Sequence, residues 1–186
     1  MLRAAYSVLF LFGWLLLTHS PPASSWNYPI GEPAPQFTLE ALDGTVYRLS
    51  DLQGQWIVVS FMATWCPYCN AAVPHFEELK REYSERGVKA FIVDVSEPPE
   101  IVSRWVSKRG LTCLVLLDRS GEVTTKYAPP PDIAPDLRRE EVMLASFMIV
   151  DPAGTVRFMK LREEVGNFDA RLTTLRTTLD ALLTAQ

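Results

Sequence analysis

The stretch Phe61-Met62-Ala63-Thr64-Trp65-Cys66-Pro67-Tyr68-Cys69 constrains this chain more than any other. The run that leads into it, Trp56-Ile57-Val58-Val59-Ser60-Phe61, is short, β-branched and aromatic, and reads as a buried strand. Beyond it, Asn70-Ala71-Ala72-Val73-Pro74, then Phe76 and Leu79, precede charged residues. That is the pattern of an amphipathic helix with a proline inside it. Two cysteines therefore stand where a strand hands over to a helix. The first turn of a helix carries unpaired N–H groups and the positive end of the helix dipole. Both stabilise a thiolate, which makes Cys66 the expected attacking sulfur. Pro67 fits the first helical position, where a missing N–H removes no intrahelical bond. Cys69, one turn on, can close a disulfide and resolve a mixed one.

Two blander readings compete. Half of a zinc site would need four ligands. Outside the leader the chain offers only Cys66, Cys69, Cys113 and His75, the last two at no usual spacing, so no metal is expected. A purely structural disulfide is permitted in a secreted chain, but so small a loop gains little chain entropy.

Trp65-Cys66-Pro67-Tyr68-Cys69, with Pro74 five residues after the second cysteine, resembles the thioredoxin superfamily. Gly31-Glu32-Pro33-Ala34-Pro35-Gln36-Phe37-Thr38-Leu39, then Asp43-Gly44-Thr45 and Leu49-Ser50-Asp51-Leu52-Gln53-Gly54-Gln55, resemble the TlpA/ResA branch of bacterial thioredoxin-like proteins. The likeness runs from about residue 30 to 184. It implies an α/β thioredoxin fold: a central mixed β-sheet flanked by helices, with an N-terminal β-hairpin extension. It also implies thiol–disulfide exchange with protein thiols and disulfides. Cys66 and Cys69 would be catalytic, and Trp65, Pro67 and Tyr68 would flank the sulfur as an apolar docking surface. No cofactor is implied; the sulfurs carry the electrons.

Net charge is −4 and mixed along the chain, with no basic block, which argues against a nucleic-acid partner. With 186 residues, 48% of them hydrophobic, the chain can build one domain with a real core. Residues 1–25 are read as outside that domain. Arg3 supplies a positive end, and Ala4 to Leu17 is apolar but for Ser7 and Gly13. This is short for a spanning helix of about 20 residues and has the proportions of a secretory signal, with Ala23-Ser24-Ser25 offering small residues for cleavage. An uncleaved anchor is the alternative, and it would tether the protein near a membrane electron donor. Either way residues 26–186 would fold as a thioredoxin-like domain, expected to be monomeric, in an extracytoplasmic, oxidising compartment.

Within that domain, Phe37 and Leu39 alternate with polar residues, Asp43-Gly44 turns, and Val46, Tyr47 and Leu49 return as a hairpin. Asp51-Leu52-Gln53-Gly54 reads as a second turn. Arg86-Gly87 ends the active-site helix. Ala90 to Val95 and Cys113 to Asp118 are buried strands, joined by a helix from Pro98-Pro99-Glu100 to about Arg109 with Ile101, Val102, Trp105 and Val106 on one face and Gly110 closing it. Such alternation means parallel pairing with right-handed crossovers. Cys113 reads as a small buried hydrophobe; a third redox thiol is the alternative. Glu122 to Tyr127 is a short helix, Ala145 to Asp151 a strand, and Val156 to Leu161 its antiparallel return after the turn Pro152 to Thr155. Asn167 or Asp169 would cap a last helix whose buried side carries Leu172, Leu175, Leu179, Leu182 and Leu183. Arg162-Glu163-Glu164 is a solvated connection.

The segment 128–144 is the oddest. Ala128 to Glu141 holds four prolines and six charges, and cannot be a strand. Its first half should be irregular, its second a helical turn. The resembling family crosses this gap in fewer residues, so it reads as an insertion, with a partner-recognition or lid role as the functional alternative to a passive loop. Three further positions depart from the family pattern. The superfamily places a cis-proline before the strand that faces the first cysteine; here Leu144-Ala145 occupies that place. A non-proline cis bond costs about 3 kcal/mol, so a trans peptide is expected. Leu144 and Ala145 are then candidates for the substrate-docking groove, leaving the disulfide less shielded. The strand position six before Cys66, acidic in thioredoxins, is Ser60, and a glutamate common three after the second cysteine is Ala72. Both acids would assist proton transfer at the resolving thiol; in their absence Glu77, Glu78 or water would serve. His75 reads as a surface or packing residue. A thiol peroxidase is a second reading, but peroxiredoxins carry Thr-x-x-Cys after a proline and Thr64 stands only two before Cys66. Copper binding of the Sco type needs Cys-x-x-x-Cys and a distal histidine, and neither is present. A redox-quiet binding module is the third.

Overall fold

The computed structural model describes residues 30–132, 135–162 and 168–185. The expected leader, residues 1–25, lies outside the described residues, as do Asn167 and the Glu163-Glu164 connection. No helix among the described residues is long and apolar enough to cross a membrane.

The fold is built outward from one strand, β3 (Trp56–Met62), in which every residue is buried. A strand covered on both faces has to be apolar throughout, and this one is, apart from Ser60. It pairs in parallel with β4 (Val88–Val95), which pairs in parallel with β5 (Leu114–Asp118). On its other side it pairs antiparallel with β6 (Ser146–Val150), and β6 with β7 (Val156–Lys160). The hairpin β1 (Thr38–Ala41) and β2 (Val46–Arg48) adds to the far edge through an antiparallel β1–β5 ladder. The result is a seven-stranded mixed sheet in the order β2-β1-β5-β4-β3-β6-β7.

The steps β3→β4→β5 move the same way across the sheet. Right-handed crossovers therefore put both connecting helices, α1 (Pro67–Ser84) and α2 (Pro99–Arg109), on one face. Their contact agrees: Trp105 Nε1 of α2 donates to Asn70 Oδ1 of α1 at 3.0 Å. Lys80 Nζ and Glu77 of α1 both bind Thr112, where the chain enters β5. α5 (Thr173–Thr184) joins this layer through the Arg86–Asp180 pair at 2.6 Å. α3 (Glu122–Tyr127) lies on the opposite face, where the ring of Tyr127 sits 5.3 Å from that of Phe61.

Most elements stand where the sequence pattern places them; the differences are local. The second turn begins as a 3-10 helix, Leu49–Leu52. On α2 only Val102 is fully buried, Trp105 and Val106 are half-buried, and Ile101 is exposed, so the buried stripe is narrower than expected. The last helix has Leu172, in a left-handed conformation, at its N-cap; Asp169 contributes from three residues earlier, accepting the N–H of Thr174 at 2.8 Å. Leu175 and Leu179 are buried, and Leu182 and Leu183 half-buried.

The C-terminal end of the inserted segment is docked. Its helical turn, α4 (Arg139–Val142), packs on α3, and Arg139 donates to the carbonyls of Thr125 and Ala128, both at 3.2 Å, at the end of α3. It also crosses closely over the turn after β5. A Cβ on Gly121 (φ +72°) would lie 2.8 Å from Ser96 Oγ and 3.1 Å from Glu140 Cγ, so only glycine fits there.

The insertion returns to the sheet at Leu144 and Ala145. Their peptide is trans, and Ala145 has φ +62° with its N–H donated to Phe61 O at 2.9 Å. A left-handed alanine costs about 1 kcal/mol. Ala145→Gly should therefore stabilise the protein by about 0.5–1 kcal/mol. Ala145→Pro, which cannot adopt that φ and deletes the N–H, should destabilise it by about 3 kcal/mol. Urea unfolding of the three proteins measures both.

Candidate active site

β3 points its C-terminal end at the start of α1, and the four residues between them make the site. Cys66 N donates to Ala63 O at 3.1 Å, closing the turn. Cys66 is the N-cap of α1, extended at φ −74° and ψ 116°, and Pro67 takes the first helical position, as expected. The Cys66 and Cys69 sulfurs are joined as a disulfide, with Cα atoms 5.2 Å apart, inside the usual range. Cys66 Sγ also accepts the N–H of Cys69 at 3.2 Å. The sulfur thus lies where the first free helical amides point, the arrangement that lowers a thiol's pKa once the bond is reduced.

The turn is held by neighbours on three elements. Asn70 Nδ2 donates to Thr64 O at 2.7 Å and to Cys66 O at 2.8 Å, while its oxygen accepts from Trp105. Glu97, in the loop after β4, accepts the Thr64 hydroxyl at 2.7 Å and the Thr64 N–H as well. Its carboxylate, 8% exposed, therefore has donors on both oxygens. Asp94, three residues earlier and 1% exposed, has none on either oxygen. Burial, then the charge and hydrogen-bonding demand of Glu97, push its pKa up to about 8.

Both cysteines are buried, Cys66 1% and Cys69 0% exposed. Trp65 projects into solvent at 59% exposure and Pro67 is exposed beside it. Tyr68 is half-buried: its ring meets that of Phe168 edge-on at 5.3 Å, and the Arg162 guanidinium lies 5.0 Å from its centre. Leu144 and Ala145 are buried, 4% and 1% exposed. Ala145 forms one wall of a small, mainly apolar cleft lined also by Phe147, Phe158, Leu161, Phe168, Leu172 and Leu175, with Lys160 and Asp169 among its walls. Glu77 is engaged elsewhere, accepting the N–H groups of Thr112 and Cys113 at 2.8 and 2.6 Å, and Glu78 pairs with His75 on the surface. Among the described residues no group of His, Cys, Asp and Glu side chains could hold a metal ion.

Sequence reasoning passed over Asp94 and Glu97. The available signal was a lone acid inside the apolar run Ala90-Phe91-Ile92-Val93-Asp94-Val95, where a charge is costly unless it has a task.

The AhpC/TSA family model matches residues 30–159. The chain is 37% identical over 101 residues to the thiol-disulfide oxidoreductase ResA of Halalkalibacterium halodurans, which covers 54% of this chain and 57% of that protein. The chain thus spans somewhat over half the length of the curated relatives it matches. Among solved structures it is similar to a thiol:disulfide interchange protein of the thioredoxin family from Chlorobium tepidum, with a TM-score of 0.58, 20% identity, and coverage of 78% of this chain and 95% of that one. It is similar also to a secreted disulfide oxidoreductase of Mycobacterium tuberculosis, with a TM-score of 0.58, 20% identity, and coverage of 81% and 96%. At such identities the likeness shows the fold, and the fold is the thioredoxin fold expected from the sequence.

Two measurements follow from the buried groups. Asp94 binds a proton in the folded state over a pH range where the unfolded chain has released it, from about 4 up to about 8. Stability contributed by this group is whole below pH 4 and is lost as pH rises through 8, by at most about 1.4 kcal/mol per pH unit. Unfolding free energies across pH 5–8 should fall more steeply for the wild type than for Asp94→Asn. The Cys113 thiol, 6% exposed and pushed up to about 12 mainly by burial, should resist iodoacetamide in the folded protein and react only after denaturation.

Proposed function

The chain belongs to the AhpC/TSA family, and on that premise we propose that it is a thiol–disulfide oxidoreductase working on protein partners through Cys66 and Cys69. The observation that carries this reading is the cysteine pair itself: a disulfide at the N-cap of a helix, its first sulfur facing helix amides and flanked by exposed Trp65 and Pro67. In the reductive direction the Cys66 thiolate attacks a partner disulfide and one partner thiol leaves. Cys69 then attacks Cys66 in the mixed disulfide and releases the second partner thiol. Trp65 and Pro67 present the apolar surface on which the partner chain docks, with the cleft beside Ala145 at its edge.

The same proposal places the domain outside the cytoplasm, where such disulfides persist. The composition of residues 1–25 supports this, as does likeness to a secreted oxidoreductase. It makes the protein a reductant, re-reduced by a membrane donor, as the TlpA/ResA resemblance implies. The domain acts as a monomer, tethered if the leader is retained, and the insertion 128–144 contributes to partner choice.

Residues 26–186 equilibrated with glutathione buffers should show a reversible two-electron couple in the reducing half of the Cys-x-x-Cys range of about −270 to −120 mV. Cys69→Ser should accumulate mixed disulfides with partners through Cys66, and Cys66→Ser should accumulate none. A pair that never equilibrates, with both variants silent, rejects the reading. Consumption of peroxide at a rate exceeding disulfide exchange would replace it with a peroxidase.

A further inference from the structure

Resolution requires the Cys69 thiol to lose its proton, and the two positions where an acid was expected to take it hold Ser60 and Ala72. Glu77 and Glu78 are occupied elsewhere. The strand register supplies another carboxyl. Ser60 pairs with Phe147, whose ring stacks on Phe76 of α1 at 6.3 Å, so the Ser60 side of the sheet is the side that α1 covers. Two residues along, Met62 is on that same side, and Asp94 is its partner on β4. Because β3 ends where α1 begins, Met62 and Asp94 lie at the end of the sheet beneath the first turns of α1, which hold Cys69. Glu97 ties the same corner together through Thr64, two residues before Cys66.

We propose that Asp94, one strand away from the expected position, accepts the proton of Cys69 when the mixed disulfide is resolved, and that Glu97 acts as a positioning residue that pins the Thr64 turn above it. The proposal rests on the exchange reading given above. The step balances. Cys69–SH gives its proton to the Asp94 carboxylate and its sulfur attacks Cys66. The Cys66–partner S–S bond breaks, the partner leaves as a thiolate, and Asp94 is left protonated beside the new disulfide. The structure holds the product disulfide, with Glu97 satisfied by two donors and Asp94 with none. The surroundings suit the task. On the sheet Asp94 is flanked by Met62 and Leu117, both buried and uncharged; the charged side chain acting on it is Glu97; the ionisable groups of the helix turn above are Cys66, Tyr68 and Cys69. A proton acceptor works best when its own affinity for the proton lies near the working pH.

Reduced protein mixed with Ellman's reagent should release thionitrobenzoate in two phases, the first from attack by Cys66 and the second from resolution by Cys69. In Asp94→Asn, which is isosteric and removes a buried acid, the second phase at pH 7 should slow about 10- to 100-fold, the first far less. The pH profile of the second phase should move toward the ionisation of Cys69 itself. As a control that needs no variant, the Asp94 carboxyl followed by NMR should titrate differently in the oxidised and reduced wild type. Unchanged second-phase kinetics in a folded Asp94→Asn, or identical titration of Asp94 in both redox states, overturns the proposal. Wild-type protein that gives no second phase at all overturns the exchange reading instead, and this inference with it.

Discussion

The full burial of β3 is the constraint on which the rest depends. A strand covered on both faces can hold only apolar side chains and small hydroxyls, and seven consecutive buried positions here include one serine and no charge. That burial fixes the strand at the centre of the sheet, sets β4 and β6 on its two sides, and holds its C-terminal end still. The Cys66–Cys69 turn inherits this rigidity: it is spaced by one rigid strand and begun by one helix, so the sulfur meets the helix amides without an ordering cost at the moment of reaction.

The buried acid of this chain stands on β4 rather than on β3. On β4, opposite Met62, it lies next to the strand's end, where Glu97 and the Thr64 turn offer polar company. Even there Asp94 lacks a donor, and its raised pKa measures how little the site solvates charge. Glu97 has the opposite lot. Two donors from Thr64 satisfy it. Neighbouring carboxyls with such different surroundings, one supplied with donors and one without, are a recurring means of setting acid–base roles without a histidine.

Much of this was legible in the sequence because it rests on local rules. The apolar run Trp56 to Phe61, Pro67 at a helix start, Gly110 after Arg109, and the alternation that forces parallel crossovers are all patterns a single chain displays. What stayed hidden depends on register between distant segments. Nothing near Asp94 in sequence says that it pairs with Met62, and nothing near Arg139 says that it reaches the carbonyls of Thr125 and Ala128. The Ile101 side chain shows the reverse error: helical spacing put it on the apolar face, but it is exposed.

Ala145 joins the two kinds of information. Its neighbours in sequence reveal that no proline stands at the place where the superfamily keeps one, and that a trans peptide must follow. They do not reveal how a trans chain makes the corner. The insertion approaches from α4, and Met143 and Leu144 are buried on the way in. To pair Ser146 with Phe61 in register, the chain must reverse within one residue, and a left-handed conformation does that at a cost of about 1 kcal/mol. The Ala145 N–H, bonded to Phe61 O, recovers part of that cost.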